Sequence, residues 1–194
     1  MRRLRQNIAF LSSGAAVVRA FSLLVLVFAL LALAFAPPAE ARSKARKRHA
    51  AVSGTVAAVA DGDTLTVVDK RARRIIIRLA EIDAPERCQP YGGQARKLLT
   101  ELALHRAVKV EVIDIDQYGR RVGKVSVDGA AETVNRILLR RGLAWVYASY
   151  TQDATLKTLE REAAAARLGL WADKKPQPPW QWRKTHGVRM RCAG

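Results

Sequence analysis

Apolar positions change their rhythm several times along this chain, and each change marks an element. Residues 20–36 form an unbroken apolar run, AFSLLVLVFALLALAFA, and no period follows it until residue 52. Residues 52–59 are small and apolar. Residues 64–68 follow the turn signal Asp61-Gly62, and residues 73–79, rich in isoleucine, follow a polar turn at 70–72. These three segments read as strands in a meander. Residues 81–93 hold two prolines and two glycines and read as a loop. Ala95, Leu98, Leu99 and Leu102 then share one face of a helix over 94–104. Alternation returns at 107–114 through Val108, Val110 and Val112, and at 121–127 through Val125 and Val127, with Tyr118-Gly119 turning the chain between them. A helix over 131–141 buries Val134, Ile137 and Leu138 and ends at Gly142. Residues 145–147 are briefly extended. A last helix over 153–168 buries Leu156, Leu159 and Ala163, with Asp153 as its N-cap and Gly169 as its stop. Five strands interrupted by one helix and followed by two more predict an α+β, mainly β chain: a five-stranded OB-type barrel with three helices.

Composition sets the frame for this pattern. Of 194 residues, 49% are apolar, enough for one modest core. The net charge of +17 favours anionic partners: nucleic acid, acidic lipid or acidic polysaccharide. Residues 1–41 read as an export signal cut after Ala41, at the Ala39-x-Ala41 site, or as a membrane anchor through residues 20–36. The run of 17 residues is long for a signal core and short for a span. Residues 42–51 form a basic linker in which Arg42, Lys44, Arg46, Lys47 and Arg48 resist translocation. Residues 52–173 are the folded domain, and 174–194 a tail rich in Pro, Trp and basic residues. Export would take Cys88 and Cys192 into an oxidising compartment. There they form a disulfide, or stand as two unrelated thiols; their separation does not suit a zinc site. The three histidines are scattered and suggest no metal site either.

Three clusters carry chemistry. Asp61-Gly62-Asp63-Thr64 reads as a hairpin turn, or as a carboxylate pair suited to a hard cation. In Arg78-Leu79-Ala80-Glu81-Ile82-Asp83-Ala84-Pro85-Glu86 a strand ends among acidic residues. That is a solvated loop, or a second source of carboxylates near the first, because the exit of a meander's third strand lies beside the entry of its second. Asp116-Gln117-Tyr118-Gly119-Arg120 is a plain turn with a surface arginine, or an arginine held to fork onto phosphate oxygens. Together they supply the inventory of metal-assisted phosphodiester hydrolysis. Trp145 and Trp171 fall at core-like positions. Trp180 and Trp182 clamp the tail onto the barrel or stack on bases.

DGDT, RL-x-x-ID-x-PE, YGR and the following VNRILLRRGLA, in this order and spacing, resemble the thermonuclease (staphylococcal nuclease-like) family over about residues 52–172. The resemblance implies a five-stranded OB barrel with three helices. It implies Ca²⁺ held by Asp63, Asp83 and the main-chain carbonyl of Ala84, where the family often has Thr. It implies Glu86 as the carboxylate that activates water, Arg78 and Arg120 on the phosphate, and Tyr118 in the nucleotide pocket. Two departures stand out. Gln117 replaces the lysine of the best-known members, and the later pocket tyrosines do not register cleanly, with Tyr147 and Tyr150 straddling the expected spacing. The implied activity is a Ca²⁺-dependent endonuclease. It cuts single- and double-stranded DNA and RNA with little sequence specificity and leaves 3′-phosphate ends. A monomer is expected, and the N-terminal segment predicts a periplasmic or secreted protein, or one held at a membrane by residues 20–36. The alternatives are a non-catalytic OB module that binds nucleic acid or protein, and a membrane-anchored structural protein. Degenerate relatives lose acidic or arginine residues, whereas all five are present here.

Overall fold

The computed structural model describes residues 49–186; the apolar run at 20–36, the basic residues at 42–48 and Cys192 lie outside the described residues. In chain order the elements are β1 (Val52–Val59), β2 (Thr64–Asp69), β3 (Arg74–Leu79), β4 (Ile82–Asp83), α1 (Gly92–Ala103), β5 (Ala107–Ile115), β6 (Arg121–Val127), α2 (Val134–Arg140), β7 (Trp145–Val146), α3 (Ala154–Ala165) and α4 (Pro179–His186). Five strands close a barrel in the order β1-β2-β3-β6-β5. Pairing is antiparallel except between β3 and β6, which run parallel. The barrel is the one expected from the alternation, because period-two burial gives each strand a single inward face. Val56, Leu65, Val67, Ile77, Val110 and Val125 fill its interior, each fully buried. Leu99 of α1 and Leu138 and Leu139 of α2 extend this core outward.

The parallel β3–β6 pairing cannot be made by a hairpin and needs a crossover. Asn135 ties that junction together. Its side-chain carbonyl accepts the Val125 N–H at 3.0 Å, and its amide donates to the Ala80 carbonyl at 2.9 Å. The side chain is buried, as a polar group can be when both ends are satisfied.

Some boundaries differ from the pattern. The loop at 81–93 contains β4, which pairs with β7 through Ile82–Val146 and Asp83–Trp145. A two-residue ladder is too short to show a period. α2 begins at Val134 because Thr133 is extended and bridges Ser126. It buries Leu139 fully and Ile137 only in part. α3 starts as expected, with the Asp153 carboxylate accepting the Thr155 N–H at 2.8 Å, and it stops at Ala165. α4 lies in the tail, where the sequence shows prolines and aromatics without helical period. Pro179 at its first position explains the start, since the missing N–H is not needed there.

Candidate active site

Asp63 is placed by its own turn. The Asp61 carboxylate accepts the Asp63 N–H at 3.1 Å, and the Asp63 carbonyl accepts the Leu79 N–H at 2.8 Å. Gly62 lies wedged between neighbours: a Cβ there would stand 2.7 Å from Ala95 Cβ and 2.8 Å from Ala84 Cβ. The turn is thus pressed onto α1 and the loop after β4. Register puts Thr64 opposite Arg78 at the end of β3. The chain then reverses through Glu81, whose φ of 66° is left-handed, and returns as β4 carrying Asp83.

These steps bring Asp63, Asp83 and Arg78 together. One Arg78 Nη donates to Asp63 Oδ1 at 2.7 Å, and the other donates to Asp83 Oδ1 at 2.7 Å. Ala84 contributes its amide, which donates to Asp63 Oδ2 at 3.0 Å. Asp63 is 3% exposed and Asp83 fully buried. Burial pushes the Asp63 carboxyl up to about 7; Arg78 opposes the rise, and the Asp61 and Asp83 carboxylates add to it. Burial also acts to lower the Arg78 guanidinium, but Asp63 and Asp83 outweigh it and hold the group above its ordinary value. Two buried carboxylates thus converge on the Arg78 guanidinium. Hard oxygen donors so placed fit a divalent cation such as Ca²⁺. Among the described residues no three His, Cys, Asp or Glu side chains gather as a complete ligand set. The remaining coordination would therefore fall to main-chain oxygen and water.

Glu86 stands on the loop after β4. Gly92, the first residue of α1, lies so close beneath that a Cβ there would overlap the Glu86 carbonyl at 2.0 Å. Gln89 accepts the Glu86 N–H through its side-chain oxygen at 3.1 Å and donates its side-chain amide to the Gln177 carbonyl at 2.5 Å. Gln89 is buried, so it clips the Glu86 loop to the tail. Neither Gln89 nor Arg183 belongs to the three clusters that stand out in the sequence. Arg183 of α4 donates to Glu86 Oε1 at 2.7 Å and forks onto Asp83, at 3.2 Å to Oδ1 and 2.8 Å to Oδ2. The one available hint was the run PPWQWRK, a helix start followed by aromatics and arginine.

The other predicted residues form two separate groups. Arg120 donates to the Asp116 carboxylate at 2.6 Å, and its guanidinium stands 5.4 Å from the centre of the Tyr118 ring. Asp116 also accepts the N–H groups of Tyr118 and Arg120, which rigidifies the turn. Burial would raise the Asp116 carboxyl, but these Arg120 and backbone hydrogen bonds outweigh it and hold the group below its usual range. β6 pairs Val122 with Arg78, so Arg120 enters the barrel two residues before the position opposite Arg78. Tyr118 is 73% exposed. Tyr147 and Tyr150 pack with ring centres 4.7 Å apart, and Trp180 of α4 stacks on Tyr147 at 5.8 Å with rings nearly parallel. Trp180 also meets Trp145 edge-on, and Trp145 packs on Trp171. Trp180 therefore clamps the tail, while Trp182 stacks on His186. Cys88 is disulfide-bonded, and the chain's other cysteine, Cys192, is outside the described residues.

The model of the family described as "Staphylococcal nuclease homologue" matches residues 76–173, which include Arg78, Asp83, Glu86 and Arg120. The chain belongs to this family. An "Uncharacterized endonuclease" of Escherichia coli O157:H7 is 42% identical over 133 residues, covering 68% of this chain and 85% of that protein. The "Micrococcal nuclease" of Shigella flexneri is 39% identical over 140 residues, covering 68% of this chain and 80% of that protein. A "Probable staphylococcal-like nuclease CAN1" of Oryza sativa subsp. japonica is 36% identical over 148 residues, covering 74% of this chain and 44% of that protein. α4, with Trp180 and Arg183, lies beyond the family match.

Proposed function

We propose that this nuclease is a Ca²⁺-dependent endonuclease that hydrolyses phosphodiester bonds of DNA and RNA with little sequence specificity and leaves 3′-phosphate ends. The observation that carries this reading is the buried Asp63–Arg78–Asp83 unit with Glu86 on the adjoining loop. In the proposed assignment Asp63, Asp83 and the Ala84 carbonyl would hold Ca²⁺, which when bound supplies polarisation of a phosphate oxygen. Glu86 accepts the proton of an attacking water, or orients it in line with the scissile bond. Arg78 and Arg120 present planar donors to the charge that grows on the phosphoryl oxygens. Tyr118 and Tyr150, both exposed, offer ring faces to bases, and Tyr147 would do so once Trp180 leaves it.

Digestion of single-stranded DNA and of RNA by the full chain, with Ca²⁺ and with chelator, tests the reading. Cleavage is expected only with Ca²⁺, and product ends should require a phosphatase before a polymerase extends them. Mg²⁺ should substitute poorly, because it demands strict octahedral geometry and gives up water reluctantly. Undiminished cleavage in chelator would remove the metal assignment. Binding without cleavage would leave a non-catalytic module.

We also propose that the protein works outside the cytoplasm, with residues 1–41 as its export signal or anchor and Cys88 paired to Cys192. The loop model gives such a long closure roughly 4–5 kcal/mol. Thiol labelling of the native exported protein should find no reactive cysteine until a reductant is added. Two labelled cysteines without reductant would overturn the pairing.

A further inference from the structure

Arg183 holds the two carboxylates that the proposed chemistry needs unencumbered. Its guanidinium takes both oxygens of Asp83 and one of Glu86, so on this side the carboxylates face a cation of the protein's own. The contact is built into the fold. Pro179 is buried, Trp180 is stacked on Tyr147 and edge-on to Trp145, and Gln177 is clipped by Gln89, whose other end holds the Glu86 N–H. α4 therefore covers two things at once: the carboxylates, through Arg183, and one of the tyrosines expected to meet a base, through Trp180. A guanidinium in bidentate contact with a carboxylate is a strong local competitor for any other cation. Its side chain is 22% exposed, so the fork is not sealed within the core.

We propose that Arg183 is an internal counter-cation that competes with the divalent metal for Asp83 while occupying Glu86, so that α4 sets the calcium concentration at which the site opens. This rests on the metal reading given under Proposed function. In the closed state Arg183 neutralises the carboxylates and keeps the chain stable without metal. Metal binding requires the Arg183–Asp83 fork to part, and the apparent affinity is reduced by the fraction of molecules in which it has parted. If that fraction is about a tenth, removing the fork tightens Ca²⁺ binding about tenfold. The same displacement frees Glu86 to act on water and loosens α4 over Tyr147.

The test is calorimetric titration of Ca²⁺ into the full wild-type chain, Arg183→Gln and Arg183→Lys, with thermal melts in chelator and in Ca²⁺. Arg183→Gln should bind Ca²⁺ about tenfold tighter than wild type. It should melt lower in chelator, where Asp83 keeps only Arg78 and Glu86 has lost Arg183, and recover more on adding Ca²⁺. If Arg183→Gln does not fold, Arg183→Lys keeps the charge but loses the fork, and it should also bind tighter, by a smaller factor. Ca²⁺ affinity equal to or weaker than wild type in the folded variants would overturn the competition while leaving the metal site in place. No Ca²⁺ binding by wild type or by either variant would overturn the metal reading, and this inference with it.

Discussion

Replacing Glu86 with Gln should lower turnover on single-stranded DNA by about two orders of magnitude or more, the range associated with a positioned general base. The substitution keeps the size of the side chain and its ability to accept a hydrogen bond from Arg183, but removes the charge and the proton acceptor. Its effect on folding should be small. The Glu86 side chain is 31% exposed, and the loop is held independently by Gln89 and by the close seat of Gly92 beneath the Glu86 carbonyl. Ca²⁺ should still bind, because Asp63 and Asp83 remain. The decisive measurement is single-turnover cleavage at saturating Ca²⁺, alongside a thermal melt. A wild-type rate in a well-folded Glu86→Gln protein would remove Glu86 from the chemistry and leave it as a partner of Arg183 alone.

How far the sequence could be read depended on how local each cause was. The barrel strands were legible because Val108, Val110 and Val112, and likewise Val125 and Val127, alternate with residues that face away from the core. Asp153 was legible as a cap because its partner, Thr155, is two residues on. The juxtaposition of Asp63 with Asp83 followed from meander geometry, and Arg78 binds both. β4 and β7 were not legible as a pair, since each is two residues long and they lie more than sixty residues apart in the chain. Nor was Arg183. It meets Asp83 across 100 residues through a helix without an apolar stripe, and no periodicity points from one to the other. Gln89 was hidden for a different reason. A polar residue between two prolines reads as solvated loop, whereas here both ends of its amide are satisfied and it is buried.

Arg78 should prove the least replaceable residue of the site, because it serves structure and chemistry with the same two nitrogens. Its two Nη groups reach different carboxylates, each at 2.7 Å, and both carboxylates are buried. A lysine in its place keeps the charge but presents one compact ammonium, which cannot span the pair with a planar fork. In Arg78→Lys one of Asp63 and Asp83 therefore loses its partner. Arg183 continues to hold Asp83, so the orphan should be Asp63. Breaking a buried ion pair from one side costs about 3–5 kcal/mol, and Arg78→Ala should fall at the lower end, about 3 kcal/mol, since an Asp63 carboxyl already pushed up to about 7 can take a proton. Arg78→Lys should lose less stability than Arg78→Ala, yet its turnover should drop by about two to three orders of magnitude, the cost of removing one fixed donor to a developing oxyanion. Denaturant midpoints and cleavage rates measured together separate the two roles. If Arg78→Lys cleaves DNA at a near-normal rate, Arg78 is a structural clasp for the aspartates and does not touch the phosphate. If both variants unfold at the wild-type midpoint, the two aspartates do not depend on Arg78 for their burial, and the charge balance described for this site is wrong.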